Sequence, residues 1–129
     1  MIVLDTHAWL WLVGDPGRLS AAATDAIRDA DRLLVSTISA WEIGTLVRRR
    51  RIALDRPVHV WVGDSLAALQ LTALAPDTPT ALLAAGLEDD RFPGDPGDRL
   101  IYATAVQSGA RLLTRDERLR SFDAERTVW

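Results

Sequence analysis

The sequence predicts an α/β protein, a three-layer α/β/α sandwich whose central parallel sheet has four to five strands. Short apolar segments alternate along the 129 residues with longer segments in which apolar residues recur at helical spacing. Strands separated by helices pair in parallel, and helices then cover both faces of the sheet. No linker, repeat or low-complexity segment interrupts this order, and 48% hydrophobic residues are enough to form one core. We therefore expect a single domain over residues 1–129.

Each predicted strand is a short run of mainly aliphatic residues. The first, Ile2–Leu4, ends directly at Asp5. The second and third clear runs are residues 33–35 and 111–114. Two weaker candidates are residues 71–74 and 127–129. Because the clear runs carry little polar alternation, we expect strands that are buried on both faces of the sheet.

Start and stop residues mark the predicted helices. Thr6 is suited to cap the first helix, and the turn-forming residues 14–17 end it. Pro57 is suited to open a later helix, and Asp116 to open a short one near the end of the chain. A polar loop is expected over residues 88–97. The longer helices are expected at residues 8–13, 20–30, 39–51, 58–69, 78–87 and 98–108.

The composition excludes several classes of function. All 15 basic residues are arginine, so the chain lacks the lysine of a P-loop and of Schiff-base catalysis. A phosphoacceptor receiver domain also relies on a lysine and is not expected. The net charge of −3 does not by itself indicate nucleic-acid binding.

Two features bear on the cellular location: the chain has no cysteine, and polar residues interrupt its apolar start. Without cysteine there are no disulfides or thiolate metal ligands, which is consistent with a reducing cytoplasm. Asp5 and His7 interrupt the apolar start of the chain, and no basic segment precedes it. We therefore expect neither a signal peptide nor a membrane span, and a cytoplasmic protein.

Four acidic residues are predicted at one edge of the sheet. Asp5 follows the first strand, and Asp116 lies just beyond the strand that ends at Thr114. Glu42 and Asp98 are expected in the first turns of the helices that follow the second strand and the long loop. Ligands of open parallel sheets bind beyond the carboxyl ends of the strands. Because Mg²⁺ and Mn²⁺ prefer carboxylate oxygens, the four acids predict a metal site there.

Helix capping is the alternative interpretation of these acids. Ser39 and Glu42 have the spacing of a capping box, and Asp95 is suited to cap a helix that begins at Pro96. Asp98 would then be a first-turn acid that the helix dipole favours. Asp116 admits the same explanation, whereas Asp5, which ends a buried strand, fits it less well. The common edge therefore favours a metal site more than any single acid does.

Three segments together resemble the PIN-domain family, and within it the VapC-type toxins of bacterial toxin–antitoxin pairs. These segments are MIVLDTHAWLW, SAWEIGTLVRRRRI and PGDPGDRLIYATAVQSGARLLTRDERL. They extend from the first residues almost to the last predicted strand. The resemblance implies a PIN-like sandwich that occupies the whole chain as a single PIN domain.

The resemblance also implies an activity: Mg²⁺- or Mn²⁺-dependent cleavage of single-stranded RNA by an endoribonuclease. Asp5, Glu42, Asp98 and Asp116 occupy the positions of the family's catalytic and metal-binding acids, with Asp5 and Asp98 as direct ligands. A small VapB-type antitoxin and a second copy of the chain are the implied partners. Two alternatives stay open: an RNA-processing nuclease without an antitoxin, and a catalytically silent binding module.

Several other residues keep two interpretations. The run Arg48 to Arg51 fits either a solvated helix end or a contact with RNA phosphates. Arg99 and Arg115, beside the acids, are suited either to a substrate phosphate or to a neighbouring carboxylate. His7 fits a surface position better than a proton donor or a base-stacking residue. The positions of four tryptophans fit core or subunit contacts better than base stacking, namely Trp9, Trp11, Trp41 and Trp61.

Overall fold

The computed structural model describes residues 1–129 and contains five parallel strands in the order β3-β2-β1-β4-β5. Leu4 of β1 lies in register with Val35 of β2 on one side and with Leu113 of β4 on the other. The strands are β1 (Ile2–Leu4), β2 (Leu33–Ser36), β3 (Thr72–Leu74), β4 (Arg111–Leu113) and β5 (Thr127–Val128). The predicted parallel sheet of four to five strands is therefore confirmed.

Seven α-helices surround the sheet, and one short 3₁₀ helix, Pro16–Arg18, follows the first of them. The α-helices are α1 (Thr6–Gly14), α2 (Ala21–Asp29), α3 (Thr37–Arg48), α4 (Val58–Ala68), α5 (Thr78–Gly86), α6 (Pro96–Gln107) and α7 (Glu117–Phe122). None of these helices has the length and apolar character that crossing a membrane requires.

Alternate residues of the strands point to opposite faces of the sheet and form two core clusters. Ile2 and Leu4 pack into the cluster that contains Trp9 and Trp61 of α1 and α4. Val3 packs into the other cluster, which includes residues of α6 and α7. Because a strand turns successive side chains to opposite faces, this division gives the three predicted layers.

The tryptophans differ in their surroundings. Trp9 and Trp61 are buried, their ring centroids lie 5.6 Å apart, and the indole N–H of Trp9 donates to the Ser65 hydroxyl. Trp11 is partly buried at the surface, whereas Trp41 is 63% exposed. The core interpretation therefore holds for Trp9 and Trp61, whereas for the exposed Trp41 only the expected subunit contact stays as a prediction.

Helices α1 and α3 begin two residues earlier than predicted, as α6 does, and each of the two is capped by a residue that ends the preceding strand or directly follows it. Asp5, not Thr6, is the N-cap of α1, and its carboxylate accepts the Thr6 N–H. Ser36, the last residue of β2, is the N-cap of α3, and its hydroxyl accepts the Ile38 N–H.

The early start of α3 changes the position of Glu42. Counted from Thr37, Glu42 lies in the second turn of the helix and not in the first. The predicted capping box of Ser39 and Glu42 is therefore wrong, because Ser36 already supplies the cap. Helix capping thus no longer explains Glu42.

Candidate active site

A cleft opens at the carboxyl edge of the sheet, where the strand order reverses. The chain passes from β1 to β2 and β3 on one side, and returns to β4 and β5 on the other. Ligand sites in open parallel sheets lie at such a reversal. The cleft has a volume of about 640 Å³ and is lined by Asp5, His7, Trp11, Glu42, Asp95, Asp98, Arg115, Asp116 and Glu117.

All four predicted acids line this cleft, and Asp95 joins them. The tightest group consists of Glu42, Asp95 and Asp98: one carboxylate oxygen of each lies within 4.8 Å of the others. Asp5 and Asp116 line the same cleft without belonging to that group. The structure thus brings the predicted acids together, although the residues come from four separate segments of the chain.

Asp5 is held by two hydrogen bonds at the end of β1. The Thr6 N–H donates to its Oδ1 at 2.8 Å, and the Thr114 hydroxyl donates to its Oδ2 at 2.6 Å. Burial raises the pKa of the Asp5 carboxyl, and the two donors partly oppose this rise. The Thr114 hydroxyl also accepts the Asp116 N–H at 3.1 Å, so one side chain at the end of β4 positions two of the acids.

Glu42 faces the cleft from α3 with an incompletely satisfied carboxylate. Its Oε1 is buried and has no hydrogen-bond partner. Burial raises the pKa of Glu42 to about 7, and the negative charges of Asp5 and Asp98 add to the rise. A Cβ at Gly97 would collide with this same Oε1, so a side chain at Gly97 would have to displace the end of the Glu42 carboxylate.

Asp95 and Asp98 form a reciprocal capping box at the start of α6. The Asp98 N–H donates to Oδ1 of Asp95 at 2.8 Å, and the Asp95 N–H donates to Oδ2 of Asp98 at 3.1 Å. Burial raises the pKa of Asp98 to about 6, and the charge of Asp95 contributes. The predicted cap at Asp95 is confirmed, and capping here coexists with a place in the acidic group.

Asp116 caps α7 and is already paired with a cation. Its Oδ1 accepts the Arg118 N–H at 2.9 Å, and the Arg118 guanidinium donates to Oδ2 at 3.0 Å. These contacts with Arg118 lower the pKa of the Asp116 carboxyl. Asp116 therefore carries its negative charge more readily than Glu42 or Asp98 does.

The two arginines beside the acids point in different directions. Arg115 lines the cleft, with its guanidinium carbon 5.6 Å from the ring centroid of Trp11, and it forms no ion pair. Arg99 instead points away from the cleft and pairs with Asp89. His7 is exposed beside Trp11, with 5.7 Å between the ring centroids.

Comparisons with known proteins identify the family. The family model described as "PIN domain" matches residues 2–125. The chain is also 42% identical over 130 residues to Ribonuclease VapC22 of Mycobacterium tuberculosis, covering 99% of this chain and 98% of that protein. The chain belongs to the VapC-type group of the PIN-domain family.

Solved structures support the PIN fold. A toxin–antitoxin complex from Klebsiella pneumoniae matches with a TM-score of 0.69 and 16% identity, covering 100% of this chain and 97% of that one. VapBC2 from Rickettsia felis, bound to a promoter DNA fragment, matches with a TM-score of 0.69 and 15% identity, covering 98% and 97%. At such identities the similarity concerns the fold, and it confirms the predicted PIN-like sandwich.

Sequence reasoning did not identify the glycines that shape the acidic group of this PIN domain. Gly94 and Gly97 alternate with the acids in the segment Gly94-Asp95-Pro96-Gly97-Asp98, and a Cβ at either position would collide with an acidic side chain. Two glycines around a helix-start signal were the available indication of a close backbone approach.

Proposed function

We propose that this PIN-domain chain is a metal-dependent endoribonuclease that cleaves single-stranded RNA and acts as the toxin of a VapBC-type pair. The observation that carries the proposal is the cleft that Asp5, Glu42, Asp98 and Asp116 line together, with a buried, unpartnered oxygen of Glu42 among its atoms. The 42% identity to a protein named as a ribonuclease supports the same activity.

The donor set suits Mg²⁺ or Mn²⁺, which prefer carboxylate oxygens. A cation would supply the missing partner of Glu42 Oε1 and relieve the crowding of charge that contributes to the raised pKa values of Glu42 and Asp98. We propose Asp5, Glu42, Asp98 and Asp116 as the metal-binding and catalytic residues. Asp95 orients Asp98 through the capping box.

The side chains around the acids orient the site and the substrate. Thr114 holds Asp5, Arg118 holds Asp116, and the unpaired Arg115 is available to a substrate phosphate. When bound, the divalent cation polarises a phosphoryl oxygen and lowers the pKa of water. Hydrolysis adds the water oxygen to phosphorus and breaks its bond to the 3′ oxygen, which takes up a proton. The products are a 3′-hydroxyl and a 5′-phosphate.

Cleavage of single-stranded RNA by the purified chain tests the activity. We expect cleavage with Mn²⁺, none with EDTA, 5′-phosphate ends, and a loss of roughly 100-fold or more in Asp98→Asn. Asp25→Asn, which changes an exposed acid on α2, is the matched control and should cleave like wild type. Undiminished cleavage in EDTA, or 2′,3′-cyclic phosphate ends, would contradict the proposal.

Growth assays test the toxin assignment and its alternatives. We propose that the chain binds a small VapB-type antitoxin, which the toxin–antitoxin complexes among the structural relatives support. We also propose that the chain forms a homodimer and acts in the cytoplasm. Expression should arrest growth, and the antitoxin should restore it. An RNA-processing nuclease would cleave RNA without arresting growth, and a silent module would do neither.

A further inference from the structure

Arg99 follows the site acid Asp98 in the chain, yet its guanidinium is directed into the neighbouring helix layer. Its Nη1 donates to the carbonyl oxygens of Ala84 at 3.2 Å and Leu87 at 2.7 Å, and its Nη2 donates to Asp89. These carbonyls lie at the end of α5, where a helix leaves backbone acceptors without partners. Only 16% of the Arg99 side chain is exposed, so the arginine is packed against the two carbonyls, whereas the Asp89 side chain is 97% exposed.

The same guanidinium lies against the ring that supports the acidic loop. Its carbon is 5.5 Å from the ring centroid of Phe92, which is 3% exposed. A Cβ placed at Gly94 would lie 2.7 Å from Cε1 of Phe92 and 2.9 Å from Oδ2 of Asp98. The guanidinium, the ring, the backbone of Gly94 and the Asp98 carboxylate are therefore successive neighbours.

Apart from Phe92, whose ring packs against Tyr102 and Phe122, the segment between α5 and α6 has few other contacts that hold it. Residues 87–95 contain neither helix nor strand, and within residues 87–94 the backbone hydrogen bonds join Leu87 to Ala84, and Arg91 and Phe92 to Glu88. The ion pair between Arg91 and Glu88 is exposed, and exposed pairs contribute little to rigidity. Arg99 ties this segment to the end of α5 through its bonds to the Ala84 and Leu87 carbonyls and to Asp89.

We propose that Arg99 is a positioning residue for the acidic group: it holds residues 87–95 against α5 and so fixes the carboxylates of Asp95 and Asp98 in the cleft. The inference rests on the proposed metal-dependent function, which it deepens. The planar guanidinium contacts two carbonyls, one carboxylate and one ring at once, whereas a lysine ammonium offers no flat face to the ring. Arg99 acts through Asp98 and does not contact the substrate.

The test compares Arg99→Gln with the matched control Arg91→Gln, which removes an exposed arginine of the same loop. Mn²⁺ binding is measured by calorimetry, thermal unfolding is measured in EDTA, and RNA cleavage is measured as kcat and KM. We expect Arg99→Gln to weaken Mn²⁺ binding by about 10- to 100-fold and to lower kcat more than KM. Arg99→Lys should recover part of the loss, and Arg91→Gln should match wild type.

A second variant protects the test against a simple loss of folding. Phe92→Leu keeps an apolar side chain and removes the ring edge from Gly94, so it should also weaken Mn²⁺ binding. If Arg99→Gln or Phe92→Leu lowers the unfolding temperature but binds Mn²⁺ like wild type, the proposal is wrong. If wild type itself neither binds Mn²⁺ nor cleaves RNA, the proposed function fails and this inference fails with it.

Discussion

At the scale of one residue, Glu42 illustrates that placing acids together in the candidate site lowers the stability of the folded chain. Its carboxylate is partly buried, one oxygen lacks a partner, and neighbouring acids face it. Glu42 has a pKa near 7 and Asp98 a pKa near 6 in the folded chain, both above their ordinary values. Folding without a cation therefore favours protonated carboxyls at these two positions.

The first prediction concerns the stability of the metal-free protein as a function of pH. A raised folded-state pKa gives stability that is fully present below the ordinary carboxyl pKa and is lost as pH rises through about 6 and about 7. Because solvent screens these partly exposed groups, we expect the unfolding temperature in EDTA to fall by roughly 3–6 °C between about pH 5 and pH 8, corresponding to about 1 kcal/mol.

Glu42→Gln should flatten much of this dependence, because the amide cannot ionise. Glu125→Gln, at an exposed position away from the cleft, should keep the wild-type slope. Differential scanning calorimetry across this pH range measures both. A wild-type unfolding temperature that is constant or rises with pH would contradict the explanation.

The start of α6 shows how one element serves both folding and the site. Asp95, Pro96 and Asp98 satisfy the rules for a helix N-terminus, with a cap, a proline in the first turn and an acid near the positive end of the dipole. The same turn delivers two carboxylates to the cleft. Gly97 between them is buried and leaves room for Glu42 of α3.

The second prediction separates helix propensity from site geometry at Gly97. Alanine is the better helix former, but its Cβ would collide with Glu42 and lie 3.3 Å from Oδ1 of Asp95. We expect Gly97→Ala to keep its helix content and to weaken Mn²⁺ binding by about 10-fold, as calorimetry would measure.

Gly63→Ala is the matched control, because an added Cβ there meets no atom within 4 Å. It should bind Mn²⁺ like wild type and gain up to about 1 kcal/mol of stability, since Gly63 lies within α4. Undiminished Mn²⁺ affinity in Gly97→Ala would show that the close approach to Glu42 does not shape the site.

At the scale of the whole molecule, the charge distribution poses a problem for RNA binding. The chain has a net charge of −3 and gathers acids around its cleft, so the proposed RNA substrate would need cations elsewhere. The run Arg48 to Arg51 is exposed at the end of the helix that carries Glu42. None of its members forms an ion pair, whereas Arg28 and Arg56 are paired with aspartates.

The third prediction assigns the run Arg48 to Arg51 to RNA phosphates. Neutralising Arg49 and Arg51 to glutamine in the Asp98→Asn background should weaken binding of a single-stranded oligoribonucleotide. The slope of log affinity against log salt should decrease by about 0.7 for each phosphate that the protein no longer neutralises. Fluorescence anisotropy across a salt series measures both quantities.

The control neutralises Arg28 and Arg56, whose charges are already engaged by aspartates, and should leave the salt slope close to that of wild type. If the wild-type run, the Arg49 and Arg51 variant and the control all give equal salt slopes, the run Arg48 to Arg51 does not contact RNA phosphates. It then only interacts favourably with the dipole at the end of α3.

The sequence by itself was enough to predict the parallel sheet, the order of strands and helices along the chain, and the edge at which the acids lie. Apolar runs and helical spacing are local patterns, and Asp5 and Asp116 each lie within two residues of a predicted strand end. Parallel strands bring their carboxyl ends to one edge, so these positions imply a common site without any knowledge of packing.

Only the tertiary structure decided how the acids are arranged and supported. Ser36 both ends β2 and caps α3, so Glu42 does not cap the helix and instead lines the cleft. The bond from Thr114 to Asp5 spans 109 positions of the chain, and the close approach of Gly97 to Glu42 also joins distant segments. Such contacts depend on which strands become neighbours and how closely helices pack. Spacing along the chain therefore located the acids, and packing across the sheet brought them together in one cleft.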